Sequence, residues 1–172
     1  MSTCRAISVL DVKDFAAETV RVGDLDGNGA PDLLFAQSTY GDRKITCLTA
    51  TDTAGKVLWQ HGTPDPGNGR IYSDLPVQVY DWDGDGANEV LYVEQATYAE
   101  LHDPGATIVE RAKRYEGQAT MVVLDGRTGE RETTIPLPAP ADDCFLFADL
   151  TGRGYRKDFV VKDRYWNMWG VS

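Results

Sequence analysis

Thr19-Val-Arg-Val-Gly-Asp-Leu-Asp-Gly-Asn-Gly-Ala-Pro-Asp-Leu-Leu-Phe35 reads as a strand, an acidic glycine-rich loop and a second strand. The chain repeats this phrase. Val77-Gln-Val-Tyr-Asp-Trp-Asp-Gly-Asp-Gly-Ala-Asn-Glu-Val-Leu-Tyr-Val93 is a second copy, and Phe145-Leu-Phe-Ala-Asp-Leu-Thr-Gly-Arg-Gly-Tyr-Arg-Lys-Asp-Phe-Val-Val161 is a third. The lead aspartates Asp24, Asp81 and Asp149 lie 57 and 68 residues apart. A period of that size marks a stack of supersecondary units, each too small to bury its own apolar face. Val20 and Val22, Val77 and Val79, and Phe145 and Phe147 alternate with their neighbours, as half-buried strands do. The short apolar runs after each loop (33–35, 90–93 and 159–161) read as buried strands.

A hairpin follows in each of the first two units. Residues 45–49 and 56–60 flank a turn at 52–55, and residues 120–124 and 130–135 flank Asp125-Gly-Arg-Thr-Gly129. Four antiparallel strands per unit make one propeller blade. The expected fold is therefore all-β, with about two and a half to three four-stranded blades forming a partial ring. The units are an N-terminal strand within 1–18, blade 1 at 19–75, blade 2 at 76–140 and a partial blade 3 at 141–172. Residues 6–12 are read as a lone strand able to serve as the outer strand of a neighbouring blade, and 167–172 as the third strand of the last unit. Two blades and part of a third do not close a ring, so the expected partners are further blades or further copies of the chain. Insertions at 61–75 and 94–117 interrupt the regular pattern.

The loops themselves point to a metal. Asp24, Asp26, Asn28 and Asp32 offer side-chain oxygens at positions one, three, five and nine, and Asp81, Asp83, Asp85 and Glu89 do the same. The backbone carbonyls of Ala30 and Ala87 at position seven complete each set, and a glycine at position six permits the sharp turn. An all-oxygen, largely anionic set suits Ca²⁺, which takes six to eight oxygens. Two sites are expected, with a structural role. An EF-hand is excluded, because position twelve is Phe35 in one loop and Tyr92 in the other, both in strands. The third loop has Arg153 at position five and one extra residue before Asp158, so no calcium is expected there. Its guanidinium stands in for the cation.

Composition narrows the function. The net charge of −10 argues against nucleic acid, whose phosphates need a basic face. Three cysteines without CxxC spacing argue against a disulfide scaffold or a zinc site. There is no apolar run of membrane-spanning length, and the first residues lack a signal-peptide pattern. No Ser/His/Asp triad, phosphate loop or HExxH helix appears.

The calcium-type loops resemble FG-GAP or VCBS repeats, carried by Val22-Gly-Asp-Leu-Asp-Gly-Asn-Gly-Ala-Pro-Asp-Leu-Leu34 and Asp81-Trp-Asp-Gly-Asp-Gly-Ala-Asn-Glu-Val90. A narrower resemblance rests on Val123-Leu-Asp-Gly-Arg-Thr-Gly129, Ala148-Asp-Leu-Thr-Gly-Arg-Gly154 and Val161-Lys-Asp-Arg-Tyr-Trp-Asn-Met-Trp169, which are similar to the propeller of rhamnogalacturonan lyases, polysaccharide lyase family 11. That resemblance implies a secreted or periplasmic calcium-bearing propeller acting on pectin backbones by β-elimination. Such chemistry needs a cation on the uronate carboxylate and a base. Arg153, Arg156, Lys157, Lys162 and Arg164 form a basic stretch, with Tyr155, Tyr165, Trp166 and Trp169 nearby as sugar-stacking candidates. Lys162, Arg164, Tyr165 and His61 are the candidate catalytic residues, and His102 is a further loop histidine. The bland alternatives are a solvated basic face, tryptophans packed between blades and solvated histidines. Three functions are thus expected: a calcium-stabilised module binding carbohydrate or protein, part of a lyase-like enzyme, or a self-assembling structural protein.

Overall fold

The computed structural model describes residues 6, 8–39, 43–70, 74–95, 119–138, 141, 144–162 and 168–172. Among them the fold is all-β, in three antiparallel sheets, and none closes into a barrel. The first sheet is β1 (Thr19–Gly23), β2 (Asp32–Ser38), β3 (Ile45–Thr51) and β4 (Val57–Gly62), paired in chain order. The second is β5 (Val77–Tyr80), β6 (Glu89–Gln95), β7 (Ala119–Asp125) and β8 (Arg131–Pro136), also in chain order. The third is β9 (Cys144–Ala148), β10 (Asp158–Lys162) and β11 (Met168–Val171), with β10 in the middle. Consecutive antiparallel strands in simple order are the pattern of a propeller blade. No helix among the described residues is long and apolar enough to cross a membrane.

The sheets stack face to face, and the stacking explains the strand sequences. Leu34, Ala36, Leu48, Ala50 and Trp59 of the first sheet share a core with Val77, Val90, Tyr92, Val122 and Leu124 of the second. The opposite face of the second sheet carries Leu91, Val93, Met121 and Val123, which pack on Phe145, Phe159 and Val161 of the third. β6 and β7 are covered on both faces and therefore read as continuous apolar runs. β8 lies at the outer edge, and its residues 131–134 are exposed and polar.

The hairpin turns are built alike. Asp52 Oδ1 accepts from Ala54 N and Lys56 N, each at 2.9 Å, and Asp125 Oδ1 accepts from Arg127 N and Thr128 N, each at 2.8 Å. Gly55 and Gly129 end these turns with φ of +88° and +71°. The second turn doubles as a joint between sheets: the Trp59 indole N–H donates to Gly126 O at 2.7 Å, and Gly129 lies against the ring face.

Residues 8–12 are not a strand, contrary to the sequence expectation for 6–12. The segment crosses the face of the first sheet that points away from the second, ending in a 3-10 turn at Lys13–Phe15. Its attachments are to the β3–β4 turn and, from Asp14 on, to the sheet face, not to a strand edge, so no ladder forms. Ser8 Oγ donates to Thr53 O, Gln37 Nε2 donates to Asp14 O and Ala16 O, and Phe15 packs edge-on against Phe35. The first insertion also starts later than read, because β4 runs through His61 to Gly62. Residues 96–117 of the second insertion lie outside the described residues.

Candidate metal sites

In the first loop the backbone winds around one carboxylate. Asp24 accepts from Gly27 N at 2.8 Å, Asn28 N at 3.1 Å and Gly29 N at 2.8 Å. Gly27 and Gly29 have φ of +76° and +82°, a region that side chains with a Cβ avoid. Asp32 begins β2 and is 1% exposed; its Oδ2 accepts from Leu25 N at 2.8 Å and Asp26 N at 3.3 Å. This geometry gathers Asp24, Asp26 and Asp32, with one carboxylate oxygen from each lying within 4.8 Å of the others.

The second loop reproduces the first. Asp81 accepts from Gly84 N at 2.8 Å and Gly86 N at 3.1 Å, and Glu89 accepts from Trp82 N at 2.6 Å. Gly84 and Gly86 again have positive φ, +83° and +93°. Asp81, Asp83 and Glu89 form the corresponding group within 4.8 Å. Asp85 is not part of the second group; its Oδ1 accepts from Ala87 N at 2.8 Å, and at the matching position of the first loop Asn28 Oδ1 accepts from Ala30 N at 2.7 Å. An ionised carboxylate has about four acceptor sites, so these loop bonds leave room for a cation.

The electrostatics favour such a cation. Burial, with the Asp83 charge adding to it, pushes Glu89 up to about 7. Glu132 is raised as well, by burial first and then by Asp125, Asp83 and Asp85. These carboxylates line a shared cleft between the second loop and the β7–β8 turn. Asp125 and Glu132 escaped the sequence reading because they lie more than 35 residues beyond the loop. The signal was the pairing of β6 with β7, which sets Glu89 directly opposite Asp125.

The third loop keeps the frame and changes the charge. Asp149 accepts from Arg153 N and Gly154 N, each at 2.8 Å. Asp158, 2% exposed, accepts from Thr151 N at 2.8 Å and Thr151 Oγ1 at 2.7 Å. The Arg153 guanidinium lies 3.3 Å from Asp158 Oδ1, an internal cation facing the buried acid. The Thr151 hydroxyl, with help from Arg153, holds the Asp158 carboxyl below its ordinary value.

Of the four candidate catalytic residues, His61 and Lys162 are among the described residues, and they stand on different sheets. His61 lies on β4, where Nε2 meets the Tyr92 hydroxyl at 3.1 Å; that hydroxyl donates to Glu94 at 2.8 Å, and Glu94 pairs with Arg131 at 2.6 Å. Lys162 ends β10 on the third sheet, opposite Cys144 and Met168. Arg164, Tyr165, Trp166 and His102 lie outside the described residues. Lys157 and the backbone carbonyl of Arg156 meet the second sheet, while the Arg156 side chain is exposed. Lys157 Nζ sits 4.7 Å from the centroid of Trp82, whose indole N–H donates to Lys157 O at 3.2 Å, and the Tyr80 hydroxyl donates to Arg156 O at 3.1 Å. Trp59 and Trp82 are thus joints between sheets.

No family model matches the chain, and no curated protein matches it. Solved structures do. Rhamnogalacturonan lyase YesW superposes with a TM-score of 0.52 and 21% identity, over 84% of this chain and 29% of the lyase. The Bacillus licheniformis rhamnogalacturonan lyase of PL11 gives 0.44 and 18%, over 71% of this chain and 23% of that one. The V. cholerae biofilm matrix protein Bap1 gives 0.42 and 20%, over 76% and 16%. The likeness to YesW is one of fold, and the chain spans less than a third of each of these proteins.

Proposed function

We propose that the chain is a calcium-binding β-propeller module of FG-GAP or VCBS type, working within an extracellular or periplasmic carbohydrate-active protein that handles pectin-like polyuronides. The observation that carries this reading is the paired carboxylate groups, Asp24/Asp26/Asp32 and Asp81/Asp83/Glu89, built on one pattern in two loops. Calcium bound there neutralises buried and crowded acids and ties the mouth of one strand to the start of the next. Its binding energy then adds to folding stability. The fold shared with YesW supports the carbohydrate context. Lyase activity is the second reading and belongs to a larger assembly, since His61 and Lys162 stand on different sheets.

Calorimetric titration of chelator-treated protein with calcium tests the first part. Two equivalents are expected, with Asp24→Ala and Asp81→Ala each removing one; no uptake, or two equivalents retained in the double variant, refutes it. Retention of the chain on immobilised rhamnogalacturonan, followed by assay for unsaturated uronate ends, separates binding from cleavage. Retention without new ends is expected, and no retention with or without calcium sinks the carbohydrate reading.

A further inference from the structure

The contacts between sheets follow a rule that the repeat makes visible. The residue just before each lead aspartate meets the residue two before the next one. Gly23 has so little room that an added Cβ would lie 2.4 Å from Val79 Cγ1, and Tyr80 stacks on Phe147 with ring centroids 4.5 Å apart. The residue just after the aspartate also turns to the following sheet. Leu25 is buried in the core that the first two sheets share, and Trp82 bonds across to Lys157 O.

On the third sheet these positions are Ala148 and Leu150, and no sheet among the described residues covers them. Leu146, Leu150 and Met168 are 54%, 53% and 69% exposed. Val160 lies between, paired with Leu146 on one side and Gly170 on the other. Leu150 Cδ1 reaches to 3.4 Å from where a Cβ on Gly170 would be, so the apolar surface is continuous, with Lys162 at its margin. This is the face the repeat uses for stacking, and no described sheet covers it.

The complementary face belongs to the first sheet. Val20, Val22, Leu33 and Phe35 occupy the positions that Val77, Val79, Val90 and Tyr92 use to receive the sheet before them. Here residues 8–18 lie over the β2–β3 part. Phe15 sits on Phe35 with centroids 5.3 Å apart, Gln37 Nε2 donates to Asp14 O at 2.8 Å and Ala16 O at 3.1 Å, and Leu10 borders Gly55. Thr49 and Thr51 beneath are 1% and 0% exposed, while Val20 and Val22 on β1 remain 36% and 63% exposed.

We propose that residues 8–18 are a strap that holds back head-to-tail assembly of this chain, and that the partner is a second copy. With the strap displaced, the receiving face of the first sheet accepts the open face of the third sheet of another copy, Ala148 against Val22. Ala148 carries a Cβ where Gly23 has none, and the stacking of Tyr80 on Phe147 shows that a joint of this kind accommodates larger side chains at that position. A joint of this kind is heterologous, so it yields closed rings or open stacks. It is independent of the calcium and carbohydrate reading, and the test is run both with calcium and with chelator so that the two stand or fall separately.

Sedimentation equilibrium on the whole chain decides it. The parent chain is expected at its 18.9 kDa monomer mass. Phe15→Asp, which drives the strap off Phe35, should raise the mass at least two-fold with rising concentration. Gln37→Met removes both strap hydrogen bonds, together with the one its Oε1 accepts from Asp65 N at 2.9 Å, at similar volume and should do the same, covering the case in which Phe15→Asp fails to fold. Adding Leu146→Asp or Val22→Asp to either variant should restore the monomer. A folded Phe15→Asp or Gln37→Met chain that stays monomeric overturns the proposal. So does a parent chain that assembles as strongly as the variants, or assembly that survives both Leu146→Asp and Val22→Asp.

Discussion

Replacing Gly129 with alanine tests the joint between the first two sheets. Gly129 ends the β7–β8 turn at φ +71°, and an added Cβ would lie 2.5 Å from Cε3 and 2.6 Å from Cδ2 of Trp59. Two costs follow. The left-handed backbone conformation costs a residue with a Cβ about 1–2 kcal/mol. The clash is about 1 Å inside normal carbon–carbon contact. The atoms met belong to the rigid ring of a side chain that is 8% exposed and pinned by its bond to Gly126 O. Forcing extra volume into such a site costs about 1–3 kcal/mol. The total is about 2–5 kcal/mol. With a urea slope of about 2 kcal/mol/M, the midpoint should fall by roughly 1–2.5 M. Urea unfolding followed by circular dichroism, at unchanged slope, reads this directly. A double-mutant cycle with Trp59→Leu separates the terms, because without the indole only the backbone cost remains. The coupling should therefore be about 1–3 kcal/mol. Equal costs of Gly129→Ala in both backgrounds, or a cost below about 1 kcal/mol in the parent, would refute the clash as its source.

Gly29→Ala provides the matched control: φ is +82° with nothing within 4 Å of the added Cβ, so in calcium-free buffer it should cost only the backbone term of about 1–2 kcal/mol. A larger loss would mean that the open side of the loop is occupied. Tyr92→Phe removes the hydroxyl between His61 and Glu94 and should cost about 1–2 kcal/mol in the same urea assay; a neutral result would show that the bridge is not maintained in solution. The third loop has a pH signature. Asp158 and Asp149 are held below the ordinary aspartate value, so their contribution is in place above about pH 4 and is lost as pH falls through the depressed folded values. Protection factors in β9–β11, with the intrinsic pH dependence of amide exchange divided out, should fall on acidification below that point, and carboxyl-carbon NMR should place Asp158 under its unfolded value; a titration at or above it would contradict the bonding from Thr151 and Arg153.

Much of this was readable without coordinates. Alternation at Val77 and Val79 placed β5, the run 90–93 placed β6, and the Asp52 and Asp125 turns placed both hairpins. Arg153 at position five of the third loop was enough to anticipate an internal cation beside Asp158. Other features were hidden. Residues 6–12 look strand-like by composition, but what they do depends on a sheet face formed by residues 33–51. Glu132 joins the acidic cleft only through strand pairing. His61 reads as a loop residue until Tyr92 of the neighbouring sheet meets it.

Local sequence sets the strand–loop–strand units and the conformation of their loops. Each carboxylate-centred turn closes within nine or ten residues, through glycines and backbone donors that lie close together in the chain. Tertiary structure decided what covers each sheet: a neighbouring sheet on both faces of the second, the chain's own strap on the far face of the first, and nothing described on the outer face of the third. Those outcomes are competitions for apolar surface among segments far apart in sequence. A side chain such as Phe15 or Leu146 carries the same hydrophobicity whether or not a partner reaches it.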